Sequence, residues 1–118
     1  MTLALYASGT LTAAGAGVED FLSSPNAAGT YQLYVDCVNM VAGDVVELRI
    51  YAMVLTGGTT RVAYYQRYEG AQPTADLIKI SVPISTTLTD TNALRFSLTQ
   101  SGANADKAFA WKVLAWQD

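Results

Sequence analysis

Residues 45–55 read VVELRIYAMVL and residues 60–69 read TRVAYYQRYE, joined by Thr56-Gly57-Gly58-Thr59. Their apolar positions repeat every second residue, the period of a strand and not the 3.6 of a helix. Val46, Leu48, Ile50, Ala52 and Val54 share one face of the first segment. Val45, Glu47, Arg49, Tyr51, Met53 and Leu55 share the other, which is apolar at both ends. A strand apolar on both faces is central in its sheet or covered by another subunit. Paired glycines supply the positive φ of a tight hairpin turn. A two-residue turn would oppose Val54 to Arg61, so the preferred register is shifted by one and sets Val62 against Val54.

The same period extends outward from the hairpin. In TYQLYVDCV (30–38), Tyr31, Leu33, Val35 and Cys37 line one face. One helical turn fits residues 38–42, before a turn at Gly43-Asp44. LIKISV (77–82) alternates and stops at Pro83. Residues 84–92 read as a short edge strand and a turn ending at Asp90–Asn92. ALRFSLTQ (93–100) points Leu94, Phe96 and Leu98 inward. FAWKVLAW (109–116) sets Phe109, Trp111, Val113 and Ala115 on one face and Leu114 and Trp116 on the other, beside Lys112. GAQPTAD (70–76) and SGANAD (101–106) are loops. Residues 1–28 are rich in Ala, Gly, Thr and Ser, with a strand at 2–7 and the patch VEDFL at 18–22. They read as an N-terminal arm or edge strand added to a body at 29–118. About seven or eight strands with turn chemistry between them predict an all-β antiparallel sandwich or a jelly-roll-like barrel.

Composition narrows the functions. The 118 residues carry 7 Lys+Arg against 10 Asp+Glu, a net charge of −3, and only 14% are charged. The surface is instead made of uncharged small and polar residues (13 Thr, 18 Ala, 9 Gly), as on a chain partly covered by a partner. The acidic balance and the lack of a basic cluster argue against nucleic-acid binding. No apolar run approaches a membrane span. The apolar start lacks the basic residues of a signal peptide. One cysteine cannot form an internal disulfide, which suits synthesis in a reducing cytoplasm.

No histidine is present, so the commonest acid–base catalyst and metal ligand is missing. There is no nucleophile elbow, phosphate loop or dinucleotide fingerprint. Asp36, Asp44, Glu47 and Glu69 are the carboxylates available to a hydrolytic pair, but Asp36 and Asp44 flank a turn and Glu47 shares a strand face with Arg49. They read as solvated or paired, and no catalytic residue, cofactor site or metal site is expected. The nearest approach to a cation site is Asp90 with Asp106, or Asp36 with Asp44. Tyr64, Tyr65 and Tyr68, with Arg61 and Arg67, read as core on one face and aromatic–Arg packing on the other; Tyr65 and Arg67 are the side chains suited to an interface. Trp111 and Trp116 cannot both face inward, so one is left to meet a partner. Cys37 reads as a buried small hydrophobe.

The run GTYQLYVDCVNMVAGDVVELRIYAMVLTGGTTRVAYY (29–65), IKISVPIS (78–85) and AFAWKVLAW (108–116) resembles small virion structural proteins of tailed bacteriophages, of the capsid decoration or cement type. The resemblance covers roughly the last 90 residues and brings no catalytic residue. It implies a non-enzymatic protein made in the host cytoplasm. That protein would sit, as a homotrimer, on the outer surface of the head, bridging major capsid protein subunits. In that setting Phe21 and Leu22 would anchor the arm. Tyr51 and Met53 of the two-sided strand, with Trp116, would make subunit contacts. A tail or baseplate accessory protein and a carbohydrate-binding module for host attachment are the alternative readings.

Overall fold

Alternation becomes strand pairing in the computed structural model, which describes residues 2–102 and 107–117. These residues form nine strands: β1 (Thr2–Thr12), β2 (Glu19–Ser23), β3 (Gly29–Asp36), β4 (Asp44–Ala52), β5 (Arg61–Glu69), β6 (Ile78–Ile80), β7 (Ile84–Thr86), β8 (Leu94–Gly102) and β9 (Ala108–Gln117). The strands make two antiparallel sheets, and the fold is an all-β sandwich. The five-stranded sheet has the order β1-β9-β3-β6, with β7 paired to the other end of the same β3 edge. The four-stranded sheet has the order β2-β8-β4-β5.

The core lies where the period-two faces meet. Tyr31, Leu33 and Val35 of β3, with Phe109 and Val113 of β9, face Val46, Leu48 and Ile50 of β4 and Leu94, Phe96 and Leu98 of β8; each is essentially solvent-free. Each large side chain buried there contributes about 1.5–3 kcal/mol. Cys37 is sealed in the same core, and Trp111 packs against its margin. The Trp111 indole lies across Gly9 of β1, where a Cβ would stand 3.4 Å from the ring; a glycine inside a strand here makes room for a neighbour's side chain. Tyr31 closes one end, its hydroxyl donating to the Ala27 carbonyl at 2.6 Å and its ring meeting Tyr6 edge-on.

Residues 1–28 supply β1 to the edge of one sheet and β2 to the edge of the other. Ala13, between them, is buried in the core, and Leu11 and Leu22 pack against it. The first strand runs on to Thr12, past the expected end at residue 7.

Three local expectations are corrected. The β4–β5 hairpin takes neither of the registers considered. Ala52 pairs with Arg61 and Ile50 with Tyr64, around a bulge that leaves Ala63 unopposed. Residues 53–60 form the loop, and Val54, expected on the core face, is 87% exposed. The tight turn survives inside that loop, with Gly57 at φ 73° and the Gly58 amide donating to the Leu55 carbonyl. Residues 38–42 make no helical turn; the Met40 amide bonds the Cys37 carbonyl in a reverse turn, and Asp36 accepts from the Val38 amide. Ser101 and Gly102 extend β8 rather than opening the loop; residues 103–106, including Asp106, lie outside the described residues.

Candidate functional site on the outward sheet faces

A sandwich of this kind presents two outward faces, and here they differ in kind. On the five-stranded sheet the pairing Leu3–Trp116 and Leu5–Leu114 joins four apolar side chains of β1 and β9 on one surface. Across β3, Tyr34 leads to Ile80, and Asp36 to Ile78. Leu3, Leu5, Ile78, Ile80 and the following Val82 are each about half exposed or more. The strand β6 is inverted: its apolar residues point to solvent while Lys79 and Ser81 point in and are buried.

Hydrogen bonding explains the inversion. β6 and β7 share one edge of β3 but are separated by Ser81-Val82-Pro83, so part of that edge lacks a strand. The Ser81 hydroxyl accepts from the Leu33 amide at 2.9 Å, and the Ser81 amide donates to the Leu33 carbonyl. A buried Leu33 amide without that partner would cost about 1–3 kcal/mol. Lys79 turns in to donate to the Asp76 carbonyl at 2.6 Å and to its carboxylate at 3.0 Å, with its ammonium 4.7 Å from the centre of the Tyr68 ring. Period two then forces Ile78, Ile80 and Val82 outward.

Between these side chains runs an open groove of about 540 Å³, lined by Leu5, Ser8, Tyr34, Asp36, Ile78, Ile80, Ala110, Trp111 and Lys112. The Lys112 ammonium lies 4.8 Å from the centre of the Tyr34 ring. The groove crosses β1, β9, β3 and β6 and is predominantly apolar, a surface suited to a protein side chain and not to an ion.

The outward face of the four-stranded sheet is polar, and its glutamates are paired within it. Glu19 accepts from the Tyr51 hydroxyl and from Ser97, both at 2.6 Å. Glu47 accepts from the Tyr65 hydroxyl at 2.5 Å and pairs with Arg49 at 3.1 Å. The Arg49 guanidinium lies 5.0 Å from the Tyr65 ring centre, and that of Arg95 stacks 3.6 Å over Phe21. Arg67 pairs with Glu69. Burial, then the bond to Glu19, pushes the Tyr51 hydroxyl pKa up, and the bond to Glu47 does the same for Tyr65.

The residues expected at an interface are therefore divided. Phe21, Tyr51, Tyr65 and Arg67 lie on the outward face of the four-stranded sheet, with the Phe21 and Tyr51 rings 6.0 Å apart. Leu22 packs partly buried on the core. Met53 opens the 53–60 loop, its amide donating to the Ala93 carbonyl. Trp116 stands on the opposite, five-stranded sheet beside Leu3. Sequence reasoning missed Leu3, Leu5, Ile78, Ile80 and Val82; the available signal for the last three was a wholly apolar phase alternating with Lys79 and Ser81.

Among the described residues no group of three metal-ligating side chains converges. Asp36 and Asp44 each cap a turn, Asp44 accepting from the Val41 amide at 2.9 Å. Asp90 accepts from the Thr56 hydroxyl and the Gly57 amide, and these bonds lower its pKa. Burial pushes the Cys37 thiol up to about 11, with Lys79 partly opposing. No helix among the described residues is long and apolar enough to cross a membrane. Comparison with family models, with curated proteins and with solved structures finds no match.

Proposed function

We propose that this chain is a non-enzymatic virion structural protein of the capsid decoration type, bound to the outer surface of a phage head through the apolar face of its five-stranded sheet and bridging major capsid protein subunits. The observation that carries this reading is the outward turn of Ile78, Ile80 and Val82 on the face that also exposes Leu3 and Leu5, at the opposite edge of the sheet. Covering the exposed half of such side chains is worth about 1 kcal/mol each, and binding to an assembled lattice adds stability by mass action. The virion setting comes from the sequence resemblance. A tail or baseplate role would use the same face and differ in copy number. A carbohydrate platform has less support, because Tyr65 and Trp116 stand on opposite sheets and the Tyr51 and Tyr65 hydroxyls are held by carboxylates.

The test is the stoichiometry and position of the protein in purified particles of the virus that encodes it. Hundreds of copies over the head surface are expected. A handful of copies at the tail would move the role there, and absence from the particle would end the proposal.

A further inference from the structure

We propose that β1 is a pairing edge for a second copy of this chain, so that two five-stranded sheets join antiparallel across a two-fold axis. The inference rests on the sheet edge and not on the decoration reading, and it sets a two-fold pair in place of the homotrimer that the resemblance implies. An exposed strand edge is a template for another strand unless it is short, charged or interrupted. The sandwich has four such edges, and three are defended. β5 carries Arg61, Arg67 and Glu69; β2 is five residues long and carries Glu19 and Asp20; β6 and β7 are three residues each and flank Pro83.

The fourth edge, β1, is eleven residues long and has neither a charged residue nor a proline. Its bulge lies between Leu5 and Ala7, which leaves Ala7–Thr12 in unbroken register against Val113–Ala108 of β9. About half the peptide groups of that run face away from β9. Ala7, Ser8, Gly9 and Thr10 are small, so another backbone can approach.

Charge identifies the occupant as a second copy. In a two-fold pair each residue near the axis lies close to its own copy, and any charge there would be repelled; β1 is the edge where that repulsion is absent. Facing residues must also share a side of the sheet. An axis through Gly9 meets this rule, opposing Gly9 to Gly9, Ser8 to Thr10 and Ala7 to Leu11. The outward faces of both copies then lie on one side, and their Leu3 and Leu5 side chains belong to a single apolar surface. A three-fold ring would instead need β1 to pair with one of the three defended edges.

The experiment is sedimentation of the purified full chain, without heads, over a concentration series. The wild type is expected to reach the mass of two chains at high micromolar concentration. Ser8→Lys with Thr10→Lys, both exposed on the outward side, is expected to weaken association by about tenfold or more with an unchanged β-sheet spectrum. Hydrogen exchange on the wild type gives a second measurement that needs no variant: amides within residues 7–12 become protected as concentration rises. A single-chain mass at every concentration, a three-chain mass, or amides indifferent to concentration would overturn the proposal. So would a dimer that survives the lysines but is lost in Ile80→Lys, which would seat the contact on the sheet face.

Discussion

The two outward faces of this sandwich use similar strands to opposite ends. On the four-stranded sheet each of Glu19, Glu47 and Glu69 has a hydroxyl or guanidinium partner, and Phe21 is roofed by Arg95. On the five-stranded sheet Leu3, Leu5, Ile78 and Ile80 have only solvent above them in the single chain. The lesson is that aromatic and charged side chains, the usual marks of a contact surface, can be spent on one another. Plain aliphatic residues turned outward are then the better sign of a partner.

The contrast can be broken most forcefully by charging the apolar face. Leu5→Lys with Ile80→Lys should remove about 1.5–3 kcal/mol of burial in a complex, about tenfold or more in affinity for undecorated heads by co-sedimentation. The same variant should unfold within about 0.5 kcal/mol of wild type, because both residues are exposed in the free chain. Tyr65→Phe with Arg67→Ala, on the opposite face, should leave head binding within about twofold. If the two variants exchange these outcomes, the assignment of the faces is reversed.

The next effect is internal. Glu19→Ala leaves the Tyr51 and Ser97 hydroxyls without their acceptor and should cost about 1–3 kcal/mol in urea unfolding, with no change in head binding. Alkaline pH sharpens the same point for the core. Folded-state pKa values raised by burial contribute stability that is complete below the unfolded values and is lost as pH rises. Stability should therefore decline from Cys37 between 9.0 and about 11, and from Tyr68 between 10.0 and about 12. The native thiol should stay inert to a thiol reagent at pH 8. The smallest effect is expected at Asp90, which lies on neither face. Asp90→Ala should speed hydrogen exchange at the Gly57 amide without moving the unfolding midpoint. Because its pKa is lowered, the wild type should lose that tether only as pH falls below about 3.8.

The alternation of β3, β4, β8 and β9 was legible because each strand has one strongly apolar phase, and that phase is the core. Cys37, Trp111 and Trp116 followed from the same parity. Less was visible in β5, because the bulge beside Tyr64 changes phase mid-strand and the loop beyond Ala52 folds over to Asp90; neither depends on local pattern. β6 was legible as a strand, but its facing was not, for a different reason. In Ile78–Val82 the hydrophobic phase should face the core, and what reverses it is a backbone amide at Leu33, 48 residues away from Ser81, that needs the Ser81 hydroxyl. The apolar site is a by-product of that demand. Within residues 1–28 the strand at 2–7 and its edge role were legible, while its continuation to Thr12 and the separate strand β2 were not, since Ala, Gly, Ser and Thr around them declare no face.

The Ser81 side chain has one more effect. By occupying the Leu33 amide where a neighbouring strand would bind, it acts as a stopper on that border of the five-stranded sheet, and Pro83 beside it offers no hydrogen to a newcomer. A sheet that is open along one border and plugged along the other can extend by a single step. Lateral growth then terminates, and a small component rich in strands stays discrete instead of running on into a fibril.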